Sequence, residues 1–259
     1  MKRFLTLAFA VLSLISCQDK EATFHLSGKV EGLREGKLLL QRVEDTSVID
    51  LDSMEIYGDP TYELSARINE PEILYLYLDR TGGDENDNVV QFFAEKGEMT
   101  LNTTLNNFTV DAKIKGSENQ ELLRKYDSVM NLFNNNNLDL LKANFEAAKR
   151  NDTTEIQETT KKYRNLLKRK YLYTVNYTVN NKTKEIAPYL AVTQISNANI
   201  KYLDTIYKSL NRKIQKSKYG EKLEKLIEER KEVKKNLPEK SKGRKPNDQA
   251  SSGENVLGE

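Results

Sequence analysis

Near Gly116 the spacing of the apolar residues changes, and this limits the chain to a sheet-forming first half and a helix-forming second half. Before that point Phe24, Leu26, Gly28 and Val30 alternate with polar residues, as do Tyr62, Leu64, Ala66 and Ile68. Alternation places every second side chain on one face of a strand. Leu38 to Leu40, Ile73 to Leu78 and Val89 to Phe93 are short continuous apolar runs. Gly32, Gly36, Gly58 with Asp59 and Pro60, Gly82 with Gly83, and Gly97 interrupt them at spacings typical of antiparallel sheets. The pattern predicts an antiparallel β-sandwich over residues 23–116, with glycines supplying the positive φ of tight turns.

From Ser117, a suitable N-cap, the period becomes helical. Leu122, Tyr126, Val129 and Phe133 fall at helical steps on one face. The asparagines from Asn134 to Asn137 are expected to interrupt that helix, after which Leu138, Leu141, Phe145 and Ala148 resume an apolar stripe. Ile156, Tyr163, Leu167 and Tyr171 form a third stretch, and later helices are expected near Pro188, at Asn199 and at Tyr219. Short connections favour antiparallel packing, against one face of the sheet. A helical domain over 117–231 and a disordered, polar tail over 232–259 complete the expectation, because the apolar pattern stops there. The fold class read from the sequence is β + α.

Charge divides at the same place. Residues 18–116 carry 10 Lys or Arg against 20 Asp or Glu, and residues 117–259 carry 29 against 19. The formal net charge of +2 conceals an acidic half joined to a basic one.

The N-terminus is read separately from the fold. Lys2 and Arg3 precede an uncharged, mostly apolar run from Phe4 to Ile15, the layout of an export signal. The run is shorter than the roughly 20 residues that span a bilayer. Leu14, Ile15, Ser16 and Cys17 resemble the lipobox of bacterial lipoproteins, and the resemblance implies a signal peptide over 1–16 and lipid on Cys17. Residues 17–22 then form the lipidated cysteine and a spacer. Gln18, Asp19, Lys20 and Glu21 resemble the acidic stretch that directs some Bacteroidota lipoproteins to the cell surface, so either that surface or the periplasmic face of the outer membrane is expected.

Residue inventory restricts the chemistry. Cys17 is the sole cysteine, which excludes a disulfide framework, a Cys-x-x-Cys pair and a thiolate zinc cluster. His25 is the sole histidine and alternates with Phe24 and Leu26, so it is expected on a solvent face. Asp84, Asn86, Asn88 and Glu95 approach a calcium-loop spacing, yet Val89 stands where that loop requires glycine. Asp50, Asp79 and Glu95 are carboxylates that an enzyme would need to gather, and no spacing joins them. Lys161, Lys162, Arg164, Lys168, Arg169 and Lys170 read as a solvated helix surface, with no nucleic acid as partner. Tyr171, Tyr173 and Tyr177 suit either packing or a carbohydrate platform. No metal and no cofactor is expected.

The order Phe24, Leu26, Gly28, Val30, Gly32, Leu33, Gly36, Leu38, Leu40, then Tyr62 and Leu64, Phe92, Phe93, Glu95 and Gly97, and Gly116, Ser117 and Asn119 resembles one family. It is similar to the domain of unknown function that precedes a thioredoxin-like domain in thiol-disulfide lipoproteins of Bacteroidota. Ser217, Lys218, Tyr219 and Gly220 resemble that family's entry into its last helix. In longer relatives the thioredoxin fold would begin near Leu237 and Pro238, whereas here a polar segment without cysteine follows, so the resemblance carries no redox activity over. The reading is a non-catalytic cell-envelope lipoprotein, a binding or scaffolding module held to the membrane by lipid. The alternative is an accessory partner of a separately encoded thioredoxin-like oxidoreductase. Asp52 to Met54, Asp127 to Val129, Asp152 to Thr154 and Asp204 to Ile206 resemble the O-glycosylation sequence of Bacteroidota envelope proteins. Thr153, in a polar turn, is the favoured acceptor.

Overall fold

A computed structural model of the chain describes residues 22–44, 46–80 and 87–236. The signal segment, Cys17, Gln18 to Glu21, Gly82, Gly83, Asp84, Asn86 and the tail from Leu237 lie outside the described residues.

Among the described residues eight strands form two four-stranded sheets: β1 (Phe24–Glu31), β2 (Glu35–Glu44), β3 (Ser47–Tyr57), β4 (Thr61–Ala66), β5 (Glu72–Asp79), β6 (Val89–Ala94), β7 (Gly97–Thr104) and β8 (Lys113–Lys115). One sheet runs β4-β1-β7-β8 and the other β3-β2-β5-β6. All pairings are antiparallel except β1 with β7, which is parallel. The alternating strands meet in the core between the sheets, where Phe24, Leu26, Val30, Leu38, Tyr62 and Leu64 are buried.

The continuous apolar runs have a different cause. Ile73 and Phe93 point away from the sandwich core and join a second cluster with Leu123, Tyr126, Tyr189 and Tyr219 from the helices. Strands covered on both faces need apolar side chains at successive positions, which is why β5 and β6 do not alternate. The sheet containing β1 keeps its outer face to solvent, and His25 is exposed there as expected.

Six helices follow among the described residues: α1 (Glu118–Lys149), α2 (Thr153–Asn180), α3 (Ile186–Gln194), α4 (Ile200–Ser209), α5 (Arg212–Gln215) and α6 (Lys218–Asn236). α6 continues five residues past Lys231, the expected end of the helical domain. α3, α4, α5 and α6 close a third apolar cluster around Ala191, Leu203, Ile206, Ile214 and Leu223.

The asparagine run does not interrupt α1. Phe133, Asn137, Leu140, Asn144 and Ala147 recur at steps of four and three, all at least partly buried, so the packed stripe passes through the run in phase. Asn134, Asn135 and Asn136 are exposed, where asparagine costs a helix only a few tenths of a kcal/mol per residue, about 0.5 relative to alanine.

Candidate functional site

The join between sandwich and helices is built from buried polar groups on short sequence spans. Ser117 caps α1 by accepting from the Gln120 amide at 3.0 Å, while its own hydroxyl donates to Glu95 Oε1 at 2.9 Å. The Asn119 backbone and side-chain N–H groups donate to the same oxygen at 2.7 and 2.9 Å. Asn119 also donates to Glu185 Oε2 at 3.1 Å and accepts from the Ile186 amide at 2.9 Å, so one buried amide fixes the starts of α1 and α3. Gln120 Oε1 accepts from the edge amide of Phe93 at 2.7 Å, and the Tyr219 hydroxyl accepts from Ile73 N at 2.9 Å.

Beside this join lies a cleft of about 750 Å³ lined by Arg42, Arg67, Glu70, Glu72, Lys218 and Lys222, among others. Glu72 is 5% exposed and pairs with Arg42 at 2.8 Å and with Lys218. Glu70 accepts from the Lys218 amide at 3.0 Å. Burial raises the Glu70 pKa above the ordinary carboxylate range, opposed by that amide and reinforced by Glu185 and Glu72. Opposite charges meet pairwise across the cleft, which ties α6 to β5.

The carboxylates named from the sequence are not brought together. Asp50 lies on β3 and accepts from Gln41 Nε2 at 2.8 Å, Asp79 ends β5, and Glu95 is held at the start of α1. Of the calcium-like stretch, the described Glu95 is committed to α1. Its neighbour Asp87 accepts from the amides of Phe108 and Thr109 at 3.0 and 2.8 Å, which lowers its pKa. Among the described residues no group of three or more His, Cys, Asp or Glu could hold a metal ion. Tyr173 and Tyr177 pack against Tyr126, and Tyr177 donates to the Leu122 carbonyl at 2.7 Å, so packing accounts for them. Tyr171 donates to Asn197 at 3.1 Å. Thr153 is exposed, as the first residue of α2.

The feature that sequence reading missed is the outer half of the α1–α2 hairpin. α1 extends about 48 Å at 1.5 Å per residue. Beyond Met130 on α1 and before Thr174 on α2, the only fully buried residues are Ala147 and Thr159. Asn144 donates to Thr159 at 2.8 Å across the two helices. The stripe expected to pack, Leu138, Leu141 and Phe145, instead faces solvent at 54, 55 and 61% exposure. Leu132 and Tyr163 are also exposed. Leu140, Leu141, Asn144, Thr159, Thr160 and Tyr163 line a shallow groove of about 300 Å³ along the hairpin.

Residues 24–123 match the profile of a family described as a domain of unknown function, DUF4369. The DUF4369 match covers the sandwich and the first turns of α1, including the Glu95, Ser117, Asn119 and Gln120 contacts, and ends at Leu123. The bare outer half of the hairpin lies beyond it. No match was found among curated proteins or among solved structures. Among the described residues, no helix is long and apolar enough to cross a membrane.

Proposed function

We propose that the chain is a lipid-anchored, non-catalytic binding or scaffolding module of a Bacteroidota cell envelope, held at the outer membrane through Cys17. The observation that carries the binding role is the outer half of the α1–α2 hairpin, where the more apolar of the two α1 stripes beyond Asn134 points away from the protein's own core. A contiguous apolar surface left uncovered by the chain's own packing is the mark of a contact surface. The anchor is supported by the basic start, the uncharged run and the lipobox-like Leu14, Ile15, Ser16 and Cys17. The DUF4369 match accords with the resemblance to the module that precedes thioredoxin-like domains.

The test of the anchor is fractionation of cells carrying the full chain and its Cys17→Ser variant, with intact mass of the membrane-extracted protein. The expected result is a mature chain starting at lipid-bearing Cys17, and loss of the variant from the membrane fraction. A mature chain starting elsewhere, or a variant that still fractionates with membranes, would falsify the anchor.

A further inference from the structure

We infer that the outer half of the α1–α2 hairpin docks on an anionic phospholipid bilayer; the inference rests on the reading of this hairpin as a contact surface. The first observation is what borders the apolar stripe. Leu138, Leu141 and Phe145 recur at i, i+3 and i+7 along α1, and Lys142 adjoins them. Across the groove, Arg164 stands one turn beyond Thr160 on α2, flanked by Lys161 and Lys168 on the same side. Among the described residues none of these four cations takes part in a salt bridge. At 100° per residue Asp139 and Glu146 fall about 140–160° around the helix from Leu141; Glu146, one turn beyond Lys142, pairs with Lys149 at 3.1 Å, and that ammonium lies 4.4 Å from the centre of the Phe145 ring, adding a cation to the edge of the stripe.

Apolar side chains between unpaired Lys and Arg form an interfacial surface. The apolar groups enter the region between headgroups and acyl chains, and the cations meet lipid phosphates. A second copy seated face to face would oppose like charges, Lys142 and Arg164 of one copy meeting the same rim of the other. The groove is shallow and the exposed leucines and phenylalanine stand along its edge, a shape that inserts into a deformable surface more readily than it encloses a rigid helix.

The second observation is where the chain enters the fold. The Thr23 carbonyl accepts from Gly97 N at 2.9 Å, and Glu95, two residues earlier, holds the start of α1. The described chain therefore begins, at Ala22 and Thr23, beside the base of the hairpin. A lipid on Cys17 and the bare face further out along α1 give two attachment points on one bilayer.

The experiment uses the chain from Gln18 to Glu259, which keeps every described element and carries no lipid. The chain has no tryptophan, so Phe145→Trp introduces a single reporter on the apolar stripe. With vesicles of phosphatidylcholine plus phosphatidylglycerol, the emission is expected to shift to the blue and the protein to float with the vesicles. With phosphatidylcholine alone neither is expected. Replacing Lys161, Arg164 and Lys168 with Gln in that background is expected to weaken binding by about fivefold per cation, with an unchanged circular dichroism melt. Should the triple variant melt early, Lys142→Gln alone serves, with a loss of about fivefold. Equal binding to neutral vesicles, no binding to anionic ones, binding unchanged by the Gln substitutions, or a concentration-dependent dimer that competes with vesicles would each overturn the inference. Because this protein has no Cys17, its failure leaves the anchor standing, and loss of the anchor leaves the hairpin result standing.

Discussion

Single residues in this protein are constrained by neighbours far away in sequence. Gly28 lies mid-strand in β1, and an added Cβ would sit 1.9 Å from the Leu101 carbonyl oxygen. The missing side chain leaves room for the Tyr62 hydroxyl to donate to that same oxygen at 2.7 Å. Sequence alternation marks Gly28 as a core-facing position, but the reason for glycine is this close approach and not a turn. Gly32, Gly58 and Gly97 do sit at positive φ, as their turn positions imply. Glu70 offers a test at this scale. Its raised pKa means that the folded protein binds its proton more tightly than the unfolded chain. Stability from this group is therefore present at low pH and is lost as pH rises from the ordinary carboxylate range through the raised value. Glu70→Gln keeps an oxygen for the Lys218 amide and removes repulsion from Glu185 and Glu72. The variant is expected to be more stable than the parent at neutral pH by about 0.5 kcal/mol, the small size reflecting solvent screening. The advantage should vanish on acidification, and urea melts at neutral and acid pH would show it; an advantage that grows with acid would contradict this account.

At the scale of elements, strand and helix types follow from local periodicity, but the face a helix buries does not. On α1 two stripes compete after Asn134. The more apolar one, Leu138, Leu141 and Phe145, is exposed, whereas Asn137, Leu140, Asn144 and Ala147 pack toward α2. The inner stripe stays in phase with Tyr126, Met130 and Phe133, and a continuous helix cannot rotate between turns to favour the outer one. This sets an expected outcome for stability. Leu141→Gln and Phe145→Gln should each change the unfolding free energy by no more than about 0.5 kcal/mol, as for surface positions. Ala147→Gln should cost about 1–3 kcal/mol by overpacking the contact with α2. Thermal melts decide between the stripes, and a large loss from Phe145→Gln would show that the ring is part of the core.

At the scale of the whole molecule, the sandwich and the helices are expected to unfold together because their contact carries both apolar and polar groups. Phe93 makes edge-to-face contacts with Tyr189 and Tyr219 at centroid distances of 5.4 and 5.9 Å, and Tyr219 takes the Ile73 amide. Tyr219→Phe keeps the ring and strands that buried amide, at a cost of about 1–3 kcal/mol. One transition shifted to lower temperature is expected by calorimetry; two separated transitions would mean that the join does not couple the parts. The change from strands to helices, the cap at Ser117 and the exposure of His25 were legible in the sequence because each depends on spacing within a few residues. The lipobox-like segment and the single cysteine likewise stand in the sequence alone. Only the tertiary structure decided that β1 and β7 run parallel, that Glu95, Asn119 and Glu185 meet, and that Asp50, Asp79 and Glu95 stay apart. Those facts depend on which distant segments share a neighbour, and local periodicity carries no record of that. The bare stripe of the hairpin belongs to the same class: Leu138, Leu141 and Phe145 read as core from their spacing, and it is the phase of a helix begun at Ser117 and packed at Tyr126 that turns them outward.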